Sequence, residues 1–308
     1  MHSIELEKHQ QGTEEWKIAR RKGIGGSDAA AAIGLSKYKS PFALWQEKRG
    51  EALEVDVNWF MLRGTALEPA IRQHYADTFG AVVMMPEAIL RHPVYNWMIA
   101  NLDGFTQDGE RLFEAKTSTN GHGWGMPGTD EIPQEYLIQV QHSLAVTGLP
   151  IADIGVSIGG KEPIYYLVEA NQELQQAIIE KESAFWQKVV DGTPPEPETI
   201  EDIVALHKKP LPGGVAATDE INELIAALAN TKAQIKHFEG EKEIIEKQVK
   251  LFMGGYELLT NGSGEALATW KFTKEVEKFD KKGFQALYPE IYSQFVTSGD
   301  PQRRFLLK

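Results

Sequence analysis

The 308-residue chain contains no cysteine. That excludes disulfides, thiolate zinc sites and cysteine nucleophiles, and leaves carboxylates and imidazoles as the available metal ligands. Any metal site is therefore expected to be hard. No apolar run approaches the ~20 residues needed to cross a bilayer, and the opening MHSIELEKHQQ lacks the apolar segment of a secretory signal. A cytoplasmic location without membrane contact is the resulting expectation. Net positive charge is missing too: 32 Lys and Arg against 44 Asp and Glu give a formal charge of −12, which argues against bulk attraction to nucleic acid. The deficit is uneven, however. Between Glu14 and Arg49 eight basic residues stand against four acidic ones, a local excess of +4. Carboxylate-rich sites also carry negative charge until a metal fills them, so a net acidic protein that handles nucleic acid is physically admissible.

What is present is the composition of an ordinary globular chain, 42% hydrophobic and 25% charged, long enough for one sizeable domain plus an appendage. Thr13-Glu14-Glu15 marks a helix start, and Gly23 stops it. After the turn GIGGSD, Ser27 is expected to cap a short Ala-rich helix ended by Gly34, and Ser40-Pro41 begins another that closes at Gly50. Helical spacing of Phe60, Leu67, Ile71, Tyr75 and Phe79 predicts a helix from Trp59 to Phe79. Strands are expected at Ala81 to Met85, Trp97 to Leu102 and Arg111 to Thr117, with Asp108-Gly109 turning between the last two. A helix from Pro133 to Thr147, a hairpin of Ile151 to Ile158 with Ile164 to Val168, and a helix from Asn171 to Val190 complete residues 1–192. The fold class is α+β, a mixed sheet flanked by helices.

The Pro-rich acidic stretch GTPPEPET opens an expected linker over 193–217. Beyond it, 218–308 reads as an appendage. Ile221, Leu224, Leu228, Ile235, Phe238, Ile245, Val249 and Phe252 follow a 3-4 repeat with Thr231 and Lys242 as misfits. This stripe can pack on its own chain as a helical hairpin, pack against the first domain, or form an intersubunit coiled coil. A small module with a hairpin around NGSGE follows.

The segment NLDGFTQDGERLFEAKTS carries the chemistry. Glu114 and Lys116 are two apart on a predicted strand and share a face, and Asp103 ends the preceding strand across the hairpin. Two carboxylates suit Mg²⁺, and the adjacent ammonium can orient a water and offset phosphate charge. These are the parts phosphodiester hydrolysis needs. A bare E-x-K is weak by itself, because surface strands often alternate Glu and Lys; here Phe113 and Ala115 form an apolar opposite face, as expected of a core strand.

Four blocks in order, WKIARRKGIGGSD, LRGTALE, NLDG with EAK, and YLIQVQHS, resemble the lambda-exonuclease/YqaJ viral recombinase family of the PD-(D/E)xK nuclease superfamily over roughly residues 13–192. The resemblance implies a restriction-endonuclease-like sheet and a Mg²⁺-dependent 5′-to-3′ exonuclease on duplex DNA, with Mn²⁺ able to substitute. It implies that Asp103 and Glu114 bind the metals with support from Glu68, that Lys116 serves the attacking water, and that Gln139 orients the site. Arg20 and Ser27 would hold the 5′ phosphate. A trimeric ring around DNA and a single-strand annealing protein as companion are further implications, as is a phage or prophage origin in a bacterial cell.

The residues taken singly allow other readings. Ser27 in a Gly-rich turn at a helix start is a suitable anion site and equally a plain cap, and Arg20 can add a bidentate phosphate contact. Glu68 can pair with Arg72 four residues on. Gln139 and Gln141 can be surface amides. Trp124, in GHGWGMPG, can stack on a base or belong to a connecting loop; His74 and His142 have no partner at ligand spacing and are structural or exposed. An endonuclease and a non-cleaving DNA-end-binding or partner-binding module remain alternatives to the exonuclease.

Overall fold

The computed structural model of the chain describes residues 4–5, 13–52, 58–297 and 303–307. Two compact units divide at Lys209 and Pro210.

Unit 1 opens with β1 (Ile4–Glu5) and the helices α1 (Glu14–Arg21), α2 (Gly26–Ala32), α3 (Pro41–Lys48) and α4 (Trp59–Phe79). Each helix begins where the backbone N–H groups of its first turn find an acceptor. The Thr13 hydroxyl accepts from Trp16 N, Ser40 Oγ from Ala43 N and the Asn58 side chain from Met61 N. Helix α2 differs from expectation. It starts two residues earlier, with Gly25 as its cap, and Ser27 lies inside the first turn; the carboxylate that satisfies the Gly25 N–H is Asp28. Asp28 prevails because it sits three residues after the cap, where a side chain reaches back to the cap N–H.

Short strands follow: β2 (Val83–Met84), β3 (Leu90–Arg91), β4 (Ile99–Ala100), β5 (Gly104–Thr106) and then the long β6 (Arg111–Ser118). The strand expected at Trp97 to Leu102 shrinks to β4, and β5 takes its place as hairpin partner of β6, around the Asp108-Gly109 turn. Only glycine fits at the start of β5, since a Cβ at Gly104 would lie 2.5 Å from Val83 Cγ1 on β2. Helix α5 (Gln134–Thr147) crosses from β6 to β7 (Ile151–Ile158), which runs parallel to β6 over eight residue pairs; β8 (Ile164–Glu169) returns antiparallel. Helices α6 (Gln172–Asp191) and α7 (Ile200–Leu206) close the unit. Helix α7 forms within 193–217, capped by Thr199, and Ser40 Oγ donates to its Asp202 at 2.8 Å.

The mixed sheet has the order β2-β5-β6-β7-β8. The period-2 alternation of β6 separates two cores. Phe113 packs with Ile71 and Tyr75 of α4, and Leu112 joins the larger core with Val140 and Leu144 of α5. Glu114 and Lys116, in phase with Leu112, therefore point toward the α5 side. Helix α5 is tied down by His142, which is fully buried; Nδ1 meets Glu182 of α6 at 2.8 Å and Nε2 meets the Ile99 carbonyl at 2.9 Å.

Unit 2 consists of α8 (Asp219–Met253), the hairpin β9 (Leu258–Thr260) and β10 (Ala266–Thr269), and the short helices α9 (Lys281–Leu287) and α10 (Pro289–Phe295). The stripe lies on one uninterrupted 35-residue helix, so it forms no helical hairpin. Gly240 does not break α8, because one glycine costs only about 1 kcal/mol against the cooperativity of a long capped helix.

Candidate active site

Strand β5 is shorter than β6, and the site lies where its ladder stops. Gly104 pairs with Phe113, the last rung. One step further the Ala115 N–H has lost its strand partner, and the Asp103 carboxylate accepts from it at 2.9 Å. Asp103 is thereby fixed beside the two β6 residues that flank Ala115. Lys116 Nζ lies 2.5 Å from Glu114 Oε1; the Glu114 side chain is buried, at 4% exposure, and that of Lys116 half-buried, at 15%. Gln139 of α5 donates through Nε2 to the same Glu114 oxygen. From the other side Arg72 of α4 bridges Glu68 Oε1, at 3.1 Å, and the Asp103 carbonyl, at 2.8 Å. Tyr136 of α5 presents its ring to the Lys116 ammonium at 5.2 Å. Asp103, Glu114, Lys116, Gln139 and Glu68 thus meet where β5 ends beside the central strand β6.

Three carboxyl groups crowded around one half-buried lysine leave the charge unbalanced, and the proton affinities register it. Burial, with the Asp103 charge adding to it, pushes Glu114 up to about 7 against the pull of Lys116. Asp103 is raised by burial against Lys116 and the Ala115 N–H. Glu68 is raised by burial and then by Asp103, against Arg72. Burial alone would lower Lys116, but Glu114 and Asp103 outweigh it and hold the ammonium above the ordinary lysine value. A divalent cation would relieve this repulsion. The donors are oxygens only, and each carboxylate spends one oxygen on the protein contacts just described. Among the described residues no three His, Asp or Glu side chains form a ready cage. Magnesium needs none, since it commonly takes one or two carboxylates and completes its octahedron with water and substrate phosphate. The donor set fits a hard divalent ion.

A second polar cluster adjoins the first. Arg20 Nη2 donates to Ser27 Oγ at 2.9 Å and to Asp28 Oδ2 at 3.2 Å. Lys48 Nζ reaches the same Asp28 oxygen at 2.6 Å and the Arg20 carbonyl at 3.2 Å. The Lys48 and Asp28 side chains are buried, at 1% and 4% exposure, whereas Arg20 keeps 25%. Burial would raise the Asp28 carboxyl, but Lys48 and Arg20 overcome it and hold the group well below the usual carboxylate range. Helix α2 places this cluster against α5, because Gly26 has no side chain: a Cβ there would lie 2.8 Å from Ser143 Oγ and 3.3 Å from Gln139 Cγ. Arg20 and Ser27 are therefore one helix contact from the residue that holds Glu114.

Trp124 is half-buried, its ring 5.6 Å from Tyr136 and 5.0 Å from Tyr166. The sequence reading did not single out Asp28, Lys48 or Tyr136. Asp28 three residues after Gly25 is a capping signal that was there to be found; nothing local marks Lys48, which becomes a buried cation only when α3 docks.

The fold and site define an α+β domain with a carboxylate–lysine centre on the central strand of a mixed sheet, where the neighbouring β5 ends. Residues 15–150 match the YqaJ-like viral recombinase domain. The chain is 31% identical to uncharacterized protein YqaJ of Bacillus subtilis (strain 168) over 321 residues, covering 96% of this chain and 94% of that protein. It belongs to the YqaJ-like viral recombinase family. Among solved structures it is similar to an alkaline exonuclease from Laribacter hongkongensis, at 25% identity over 59% of this chain and 94% of that one, with a TM-score of 0.48. It is also similar to a phage related exonuclease from Haemophilus somnus 129PT, at 16% identity over 55% of this chain and 94% of that one, with a TM-score of 0.45.

Proposed function

We propose that the protein is a Mg²⁺-dependent deoxyribonuclease that degrades duplex DNA from its 5′ ends and leaves 3′ single strands for phage-type recombination. The observation that carries this reading is the pair of buried Glu114 and half-buried Lys116, with Asp103 and Gln139 beside it, where the β5 ladder ends. Asp103 and Glu114 are the metal-binding carboxylates, and Glu68 completes the acidic rim. When bound, Mg²⁺, or Mn²⁺ in its place, supplies the Lewis acidity that lowers the proton affinity of water and offsets phosphate charge.

The chain's own groups do the rest. Gln139 holds Glu114 in one rotamer, so its carboxylate is aimed before substrate arrives. Lys116, charged at neutral pH because two carboxylates face it, offers N–H donors to orient the attacking water and to meet the developing negative charge. Arg20 and Ser27 hold the terminal 5′ phosphate: the guanidinium fork matches phosphate oxygens, and the Asp28–Lys48 pair keeps the arginine in place. The exposed part of the Trp124 ring is the surface offered to a base.

On this reading the protein acts as a ring-shaped homo-oligomer, a trimer, that retains the duplex despite a charge of −12. A single-strand annealing protein takes up the 3′ strand it exposes. The test is digestion of linear 5′-labelled, linear 3′-labelled and closed circular duplex with and without Mg²⁺. Early release of 5′ label, with circles intact, is the expected result. Cutting of circles would make the protein an endonuclease, and no metal-dependent cleavage of any substrate would leave a binding module.

A further inference from the structure

Helix α8 displays an apolar seam that its own unit leaves bare. Leu224, Phe238, Ile245 and Phe252 are 59%, 62%, 60% and 80% exposed. Trp270, after β10, shares a groove with Lys247, Lys250 and Leu251 on the back of the helix, away from the seam. The seam follows a strict seven-residue repeat over five heptads, a period that fits a second helix rather than a globular surface. Gly240 falls on the outermost heptad position, where it disturbs no contact.

We propose that α8 pairs with α8 of a second copy of this chain as an antiparallel two-stranded coiled coil, in the register that sets Ile221 opposite Phe252. The two polar misfits select this arrangement. In that register Thr231 of one copy faces Lys242 of the other, and every remaining layer, such as Leu228 opposite Ile245, is apolar on both sides. Both misfits already have polar partners on their own helix: the Thr231 hydroxyl donates to the Ala227 carbonyl at 2.9 Å, and Lys242 lies 3.6 Å from Glu246. A parallel in-register pair would instead press Lys242 against Lys242 and set Glu241 beside the other copy's Glu246. The antiparallel pair brings Lys232 beside the other copy's Glu239, twice by symmetry. It also lays the acidic first turn, Asp219 and Glu220, along the end that carries Lys250, and opposes the two helix dipoles. A two-fold contact joins chains in pairs, so a three-membered ring that carries it assembles with a second ring.

The inference is independent of the nuclease reading, and the cysteine-free chain allows a direct test. Leu228→Cys and Ile245→Cys full-length variants are purified separately, incubated alone and mixed, and treated with a short bis-maleimide. The expected result is a cross-linked dimer in the mixture and only background in either variant alone. Cross-linking within a single variant would establish parallel pairing and overturn the proposal. No cross-link in the mixture would show that the seam is covered by its own chain or by a different partner, and would overturn it as well. Adding Ile235→Glu and Phe238→Glu to both variants should reduce the mixed cross-link at least tenfold with helical circular dichroism retained. An undiminished cross-link in that background would mean that the copies meet elsewhere than at the seam.

Discussion

Replacing Lys48 with methionine keeps the volume of the side chain and deletes its charge, which strands the Asp28 carboxylate in the interior. At 4% exposure Asp28 would retain Arg20 Nη2 and the Gly25 N–H, both at 3.2 Å, and lose its shortest contact, the ammonium at 2.6 Å. Breaking a buried ion pair from one side costs about 3–5 kcal/mol. The surviving Arg20 contact places Lys48→Met near the lower figure, ~3 kcal/mol. Six of the seven tryptophans lie in unit 1, so fluorescence-detected urea unfolding reports chiefly on that unit, and the midpoint should fall by roughly 1 M at the slope of a domain this size. Asn at position 28 keeps an acceptor for Gly25 and Arg20 without the charge. The double variant Asp28→Asn/Lys48→Met should therefore recover to within about 1 kcal/mol of the parent. An unchanged midpoint in Lys48→Met, or a double variant no more stable than the single one, would refute the assignment of the pair as a charge-compensated buried unit.

Asp103→Asn and Glu114→Gln should each abolish cleavage of end-labelled duplex with the urea midpoint retained or raised, because each removes a repelling carboxylate; wild-type turnover in either would sink the metal assignment. Lys116→Ala should cost at least ~10²-fold in rate, the usual scale for a group acting on transition-state charge, while calorimetric Mg²⁺ binding persists; loss of binding would make the lysine structural. For the metal-free protein the folded Glu114 carboxyl lies at about 7, above its ordinary 4.5, so the folded state binds more protons than the unfolded state in that window. Its contribution is favourable below about pH 4.5 and is lost as pH rises to about 7, by up to ~3 kcal/mol; Glu114→Gln should flatten this slope, and an identical slope in the variant would exclude Glu114 as its source. Arg20→Ala should lower the preference for 5′-phosphorylated over 5′-hydroxyl ends before it lowers cleavage itself; an equal loss on both ends would place Arg20 elsewhere in the mechanism.

Local sequence determined most of the elements, because their signals are short-range. Thr13, Ser40 and Asn58 cap the helices they precede, and Gly80, Gly148 and Gly192 take the left-handed conformation that ends α4, α5 and α6. It also placed Glu114 and Lys116 on one face, since the strand period is a property of the backbone. The α2 start is the local miss: Ser27 looked like the cap, yet the backbone answers to Gly25 and Asp28. What only the tertiary structure decided are the facts that join distant segments. The early end of the β5 ladder gives Asp103 the Ala115 N–H, α5 delivers Gln139 to Glu114, and α3 buries Lys48 against Asp28. None of these has a sequence period, because each depends on how helices seat on the sheet. Burial then sets the electrostatics. A carboxylate–lysine pair that could have been a solvated surface alternation becomes a strained charge cluster only because α4 and α5 exclude water from its surroundings.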